Sequence, residues 1–205
     1  MAAPGSTPQQ KAALRAFYRD QRQQISAEQA LEASRAVCKR LQAADFFTKC
    51  HHIGGYVSFR NEIDIHPFLD VKRAQGCSTY LPRVGEYGRL EFVAVDDSSE
   101  LVTGAFGILE PTGQPAPIEQ IELFLVPALA FDLSGQRLGF GKGYYDRILH
   151  SENSSHRPIA VGIAYHWQLA EVALPFEQHD APMDVIATDT ELIYCSARLA
   201  PLNQE

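Results

Sequence analysis

Cationic residues, thiols and long apolar runs are all scarce in this chain, and each scarcity removes a class of protein. Lys and Arg total 18 against 25 Asp and Glu, a formal net charge of −7. Neutralising nucleic-acid phosphates needs the opposite surplus, so general nucleic-acid binding is excluded and any positive site must be local. The four cysteines, Cys38, Cys50, Cys77 and Cys195, form no CxxC pair, which argues against structural zinc and for reduced thiols inside a cell. The seven histidines show no metal-ligand spacing. No apolar run approaches the roughly 18 residues of a membrane span. The opening MAAPGSTPQQ has neither the charged nor the apolar region of a secretory leader. A cytoplasmic protein with no membrane partner is expected.

What remains is ordinary globular composition: 45% hydrophobic residues, 14 glycines and 12 prolines in 205 residues. That length suits one domain, 1–205, with a substantial core and with residues 1–10 expected to be flexible. From Lys11 the pattern is helical, Leu14, Phe17, Tyr18 and Ile25 falling on one side. Ser26 then caps a second helix, with Gln29 as capping-box partner, running to about Leu41. Beyond it, β-rich runs alternate with helical or turn-rich pieces: HIGGYVSF, STYLPRV, LEFVAV, IELFLVPALAF, IAVGIAY and VIATDTELIYC. This punctuation predicts an α/β fold with a mostly parallel sheet. The almost wholly apolar stretch 122–131 is expected to be a central strand buried on both faces, with Pro127 at a bulge or strand end.

The stretch FDLSGQRLGFGKGYYDRIL contains the densest chemical signal. Asp132 to Gly135 reads as a turn, a helix is expected from Tyr144, and Gly139, Gly141 and Gly143 fall between. Glycine lets a backbone approach a ligand closely and adopt positive φ, and a following helix offers unpaired N–H groups to an anion. Lys142 and Arg137 add positive charge. Neither a P-loop nor a dinucleotide fingerprint fits, because Gln136, Gly143 and Tyr144 occupy positions where those motifs need other residues. A tight connector relieved by glycine is the structural alternative. Lys142 between two glycines favours a polyphosphate ligand instead.

A second cationic element lies on the first helix. Lys11, Arg15, Arg19 and Arg22 project within a narrow arc, a placement that destabilises a helix by a few tenths of a kcal/mol per like-charged pair unless an anion faces them. A solvated helix surface is the alternative. A triphosphate needs several donors, and two cationic elements could supply them together.

The stretch LVPALAFDLSGQRLGFGKGYYDRIL resembles the signature of the 5-formyltetrahydrofolate cyclo-ligase family, also called methenyltetrahydrofolate synthetases. KAALR, YVSFRNEIDI, YLPRV, FGILEP and HDAPMDVIAT resemble its other blocks in the same order, from Lys11 to about Thr188. The resemblance implies a three-layer α/β fold with a mostly parallel open sheet and an N-terminal helical arm. It also implies a monomeric enzyme of one-carbon metabolism that uses ATP and Mg²⁺ to close 5-formyltetrahydrofolate, a reduced folate, to 5,10-methenyltetrahydrofolate. By the same resemblance Lys11, Arg15 and the run Arg137, Leu138, Gly139, Phe140, Gly141, Lys142, Gly143, Tyr144 and Tyr145 bind ATP. Lys142, Arg137 and Glu62 are the catalytic candidates, with Val57, Glu62 and Tyr145 at the folate and Asp146 and Asp180 on the metal.

Each assignment has a structural alternative. Glu62 could be a turn or cap residue, although Asp64 more naturally caps the next helix. Asp146 suits the first turn of a helix without any metal, and Asp180 could pair with His179. Tyr144, Tyr145, Phe106 and Trp167 are candidate walls for a flat ring. Ile65 stands where the family commonly has Thr, and Phe140 occupies a basic or aromatic loop position. Two rival readings remain at this point: a non-catalytic nucleotide or folate binding module, and an enzyme related to sugar-phosphate isomerases or CoA-transferases.

Overall fold

The computed structural model describes residues 8–97, 99–149 and 157–199. Of the stretch expected to be flexible, 1–7 lie outside the described residues, whereas 8–10 already belong to the first helix. That helix, α1 (Pro8–Gln23), is followed by α2 (Ala27–Ala43), α3 (His66–Ala74) and α4 (Tyr144–Leu149). The strands are β1 (His52–Gly54), β2 (Ser78–Val84), β3 (Leu90–Val95), β4 (Leu101–Thr103), β5 (Leu109–Pro111), β6 (Leu123–Pro127), β7 (Ala130–Asp132), β8 (Arg137–Leu138), β9 (Ile159–Ile163), β10 (Leu169–Ala170), β11 (Val185–Ala187) and β12 (Leu192–Tyr194).

Seven strands form one sheet in the order β12-β11-β9-β6-β1-β2-β3. The inner five run parallel, and β3 and β12 close the two edges antiparallel. Residues alternate along β6: Leu123 and Leu125 pack with Val37, Leu41, Phe68 and Leu69 of α2 and α3, whereas Phe124 and Val126 pack with Phe92, Ala160 and Leu149 of α4. Both faces of the central strand are therefore buried, which demands the continuous apolar run seen in the sequence. A third cluster, Tyr18, Leu129, Ala130, Leu138, Ala170 and Leu174, seats α1 on the small sheet β10-β7-β8.

Three expectations need correction. The stretch 122–131 is two strands in two sheets, because the chain leaves the large sheet after Pro127, which cannot donate a ladder hydrogen bond. The carbonyls freed at that step do not go unsatisfied: Gln168 Nε2 donates to those of Ala128 (3.1 Å) and Leu129 (2.8 Å). The stretch 185–195 is likewise a hairpin of two strands. On α1, Phe17 faces outward at 55% exposure while Arg22 is buried, so the inward face is partly cationic.

Local signals explain the element ends. Ser26 Oγ accepts the N–H of Gln29 (3.2 Å) and Gln29 Oε1 accepts that of Ser26 (2.9 Å), the expected capping box. Asp64 Oδ1 accepts the N–H of His66 (3.0 Å) at the start of α3, although the N-cap position itself is Ile65. Asp132 Oδ1 accepts from the N–H groups of Ser134 (2.9 Å) and Gln136 (3.1 Å), and its Oδ2 from Leu174 (2.8 Å), fixing the β7–β8 turn from inside the protein.

Strand order places the functional region. From β1 the chain crosses to β2 on one side, and from β6 to β9 on the other, so the order reverses between β1 and β6. The crevice beyond the carboxyl ends of two such strands is where ligands bind in open α/β sheets.

Two substitutions test this packing. A Cβ at Gly162 would stand 2.6 Å from the fully buried Phe131 ring, so Gly162→Ala should lower unfolding free energy by about 1–3 kcal/mol. Ser26→Ala should lower it by about 1 kcal/mol through loss of the cap. Denaturant midpoints at unchanged slope measure both.

Candidate functional site

A cleft of about 1000 Å³ opens at that reversal point. Its walls come from α1, the segment after β1, the ends of β2 and β6, the β4–β5 hairpin, the loop from β8 to α4, and residues 175–180. Lys11, Arg15, Arg19 and Arg22 all line it, with Arg22 buried, Lys11 and Arg15 half-buried and Arg19 open to solvent. The segment after β1 follows because Asn61, at a left-handed φ of 59°, donates to the carbonyls of Arg22 (3.3 Å) and Ile25 (2.9 Å) beyond the last turn of α1. That strap brings Glu62 against Arg22.

The glycine loop and the helix meet directly. Arg15 Nε donates to the carbonyl of Gly139 at 2.9 Å. Gly141 holds a φ of 91°, a left-handed conformation that favours glycine, and a Cβ there would meet the Arg15 guanidinium carbon at 3.4 Å, in van der Waals contact. Phe140 is exposed at the loop tip, with the Arg22 guanidinium 5.4 Å from its ring centroid. Lys142 is exposed, its ammonium 5.8 Å from the ring centroid of Phe106 on the facing hairpin. Its carbonyl accepts from Arg147 Nη1 at 3.1 Å, which holds the loop backbone at this residue.

Arg137, Leu138 and Tyr145 form the inner end of the cleft. Arg137 Nη2 pairs with Asp146 Oδ1 at 2.6 Å, and its guanidinium lies 5.7 Å from the Tyr145 ring centroid. Its Nε is buried without an acceptor. A buried donor of this kind beside a ligand cleft is what a bound oxyanion would satisfy. Tyr144 and Gly143 continue the lining toward Asp146.

Three carboxylates complete the site. Glu62 is buried, with Oε1 3.2 Å from Arg22 Nη1 and Oε2 accepting the N–H of Phe59 at 3.0 Å. Burial pushes its carboxyl above the usual range, outweighing the opposing pull of Arg22 and the Phe59 amide. Burial also pushes the phenols of Tyr56 and Tyr145 upward, leaving both as neutral groups near Glu62. Val57 lies in the same wall.

Asp146 and Asp180 approach one another through the backbone, since Asp146 Oδ1 accepts the N–H of Ala181 at 3.5 Å. Asp180 Oδ2 accepts the N–H of Glu177 (2.8 Å) and lies 3.4 Å from Lys11 Nζ, which also pairs with Glu177 at 2.8 Å. His179, the alternative partner for Asp180, stands farther off at 3.9 Å. Among the described residues no three His, Cys, Asp or Glu side chains gather into a metal cage. Two hard oxygen donors that already face the cations Arg137 and Lys11 do suit a divalent ion whose other ligands are phosphates and water.

Every residue named from the sequence as a catalytic, ATP-binding, folate or metal candidate thus lines this one cleft. Trp167 does not. It stacks between Tyr18 (6.3 Å) and Tyr165 (5.8 Å) in the core and forms no part of the wall. Phe106 does belong to the wall, held at a φ of 61° on the tip of the β4–β5 hairpin. Sequence reasoning missed that hairpin, the bond from Arg15 to Gly139, and the Arg22–Glu62 pair. The four-charge stripe singled out Arg22, yet nothing local in sequence names a partner 40 positions away.

The family model for the 5-formyltetrahydrofolate cyclo-ligase family matches residues 7–189. The chain is 31% identical over 180 residues to 5-formyltetrahydrofolate cyclo-ligase of Escherichia coli K12, covering 85% of this chain and 97% of that protein. It is 30% identical over 181 residues to the Haemophilus influenzae protein of the same name, covering 85% and 95%. In three dimensions it is similar to 5,10-methenyltetrahydrofolate synthetase of Aquifex aeolicus, with a TM-score of 0.78 at 34% identity over 90% of this chain and 92% of that one. A glycine loop held by an amino-terminal helix at the sheet's reversal point and a match across nearly the whole length agree: the chain belongs to the 5-formyltetrahydrofolate cyclo-ligase family.

Proposed function

We propose that this protein is an ATP-dependent 5-formyltetrahydrofolate cyclo-ligase, converting 5-formyltetrahydrofolate to 5,10-methenyltetrahydrofolate with release of ADP and phosphate. The observation that carries the reading is the meeting of two cationic elements, α1 and the glycine loop, at the Arg15–Gly139 bond in a cleft that Glu62, held against Arg22, also lines.

The chemistry explains why both ends are needed. A formamide carbonyl is a weak electrophile and its oxygen a poor leaving group. Transfer of the γ-phosphoryl group to that oxygen displaces ADP and gives an iminium phosphate. Attack by N10 on the one-carbon centre, with loss of the N10 proton, then expels phosphate and closes the ring. Little covalent work falls to the protein, so positioning and charge stabilisation carry the rate.

Lys11, Arg15, the loop from Gly139 to Gly143 and Tyr144 surround the phosphates. Lys142, with an exposed side chain on a held backbone, follows the charge on the transferring group. Arg137 clamps a phosphate oxygen through its unpaired Nε. Glu62 orients the reduced folate and favours the cationic one-carbon centre, with Val57 and Tyr145 alongside. Asp146 and Asp180 would hold Mg²⁺, which when bound neutralises phosphate charge. We read the chain as a single-domain, cytoplasmic monomer acting on small molecules, and the net charge of −7 supports the absence of a nucleic-acid partner. Among the described residues no helix is long and apolar enough to cross a membrane.

Methenyltetrahydrofolate absorbs in the near ultraviolet, so the purified chain with 5-formyltetrahydrofolate should produce that band only when Mg·ATP is present. A binding module or an isomerase would leave the spectrum unchanged. Lys142→Met should lower kcat by about 10²–10³-fold at unchanged far-ultraviolet circular dichroism; near-normal turnover removes Lys142 from the mechanism. Chelating Mg²⁺ should abolish turnover, and Asp146→Asn should raise the Mg²⁺ concentration required for half-maximal rate.

A further inference from the structure

Arg22 ends α1 with its side chain 3% exposed, whereas Arg19, one turn earlier, lies open to solvent. A buried guanidinium is strongly destabilising unless it is paired and hydrogen-bonded. Its partners lie on three different segments. Nη1 stands 3.2 Å from Glu62 Oε1 in the segment after β1 and 3.5 Å from the carbonyl of Ala128, where the chain leaves β6. The guanidinium also lies over the ring of Phe140 on the glycine loop, 5.4 Å from its centroid. Both Arg22 and Glu62 line the cleft, which sets the pair apart from an ion pair that only ties two surfaces together.

From this geometry we infer that Arg22 is a positioning residue for the reaction: it fixes the Glu62 carboxylate in the folate end of the cleft. The inference rests on the cyclo-ligase reading. The other groups around Glu62 cannot take over this task. Tyr56 from the segment after β1, Tyr145 from α4 and Tyr165 from beyond β9 are phenols, the last pushed up to about 12 by burial, so all stay neutral in the working range. Asp64 acts on Tyr56 and is itself an anion. Arg22 is the cation that opposes burial at Glu62.

The sign follows. Burial already raises the Glu62 carboxyl and Arg22 lowers it, so removing the guanidinium raises it further. The fraction ionised at a given acidic pH then falls. In Arg22→Gln the acid limb of kcat/KM for 5-formyltetrahydrofolate, at saturating Mg·ATP, should move to higher pH by about one unit or more. Arg22→Lys should restore part of that shift. Arg22→Gln combined with Glu62→Gln should be no slower than Glu62→Gln alone, because a residue acting through Glu62 has nothing left to position.

A readout independent of turnover accompanies the kinetics: titration of the ¹³C-labelled Glu62 carboxyl in the full chain, assigned as the resonance missing from Glu62→Gln. Its midpoint should rise in Arg22→Gln. Arg22→Leu, which keeps apolar packing, replaces Arg22→Gln in both measurements should the latter melt below assay temperature. A slower enzyme with an unmoved acid limb and an unmoved resonance overturns the inference, as do losses from Arg22→Gln and Glu62→Gln that multiply. Absence of ATP-dependent turnover in the unsubstituted chain counts against the cyclo-ligase reading alone and leaves the resonance to decide the Arg22–Glu62 coupling.

Discussion

The seating of α1 across the carboxyl edge of the sheet is the constraint on which the site depends. Taken alone, that helix pays a few tenths of a kcal/mol for each like-charged pair on its cationic face. Hydrogen bonds involving charged groups contribute about 1.5–3 kcal/mol each, so the bond from Arg15 to Gly139 and the contact between Arg22 and Glu62 outweigh that repulsion. Asn61 adds two bonds to carbonyls at the end of the helix. A face that looks mismatched in sequence becomes a wall once these contacts form.

The other wall derives from one proline. Because Pro127 ends β6, the chain turns out of the large sheet and spends Ala130–Leu138 on a short hairpin of its own. Asp132, buried at the end of β7, holds its turn through two backbone amides and ties it to the amide of Leu174 beyond β10. The loop that follows therefore leaves a hydrogen-bonded base, and its exposed part is confined to a few residues with Lys142 among them. Gly162 and the Phe131 ring interlock behind this base, which makes the spacing between the two sheets intolerant of one added carbon.

Legibility in the sequence followed the range of the forces involved. β2 and β3 coincide with STYLPRV and LEFVAV, and the capping box at Ser26 formed as its four-residue pattern implies, because periodicity and caps are local. The break after Pro127 was half legible: the proline marked a bulge or a strand end, without deciding between them, and nothing local announced the change of sheet. β4 and β5, three residues each and mostly exposed, carry too little apolar alternation to stand out. Trp167 was misplaced because its position after a strand resembles that of a ligand wall, whereas its ring satisfies the core between Tyr18 and Tyr165. Phe17 kept helical phase with Leu14 and Tyr18 and still faces outward, since burial there went to Arg22. Motif resemblance gathered distant residues that no local rule connects, yet it gave no pairings among them.

The ion pairs at the cleft mouth bear on selectivity. Lys11 reaches both Glu177 and Asp180, so its ammonium is already shared between two anions. A diffuse polyanion or a single stray phosphate must compete with tethered carboxylates at high local concentration. Only a compact ligand bringing several negative oxygens, and its own divalent counterion for the displaced acids, exchanges partners without leaving a bare charge. On the proposed cyclo-ligase reading, the lip of the cleft acts as an ion exchanger that discriminates by charge density.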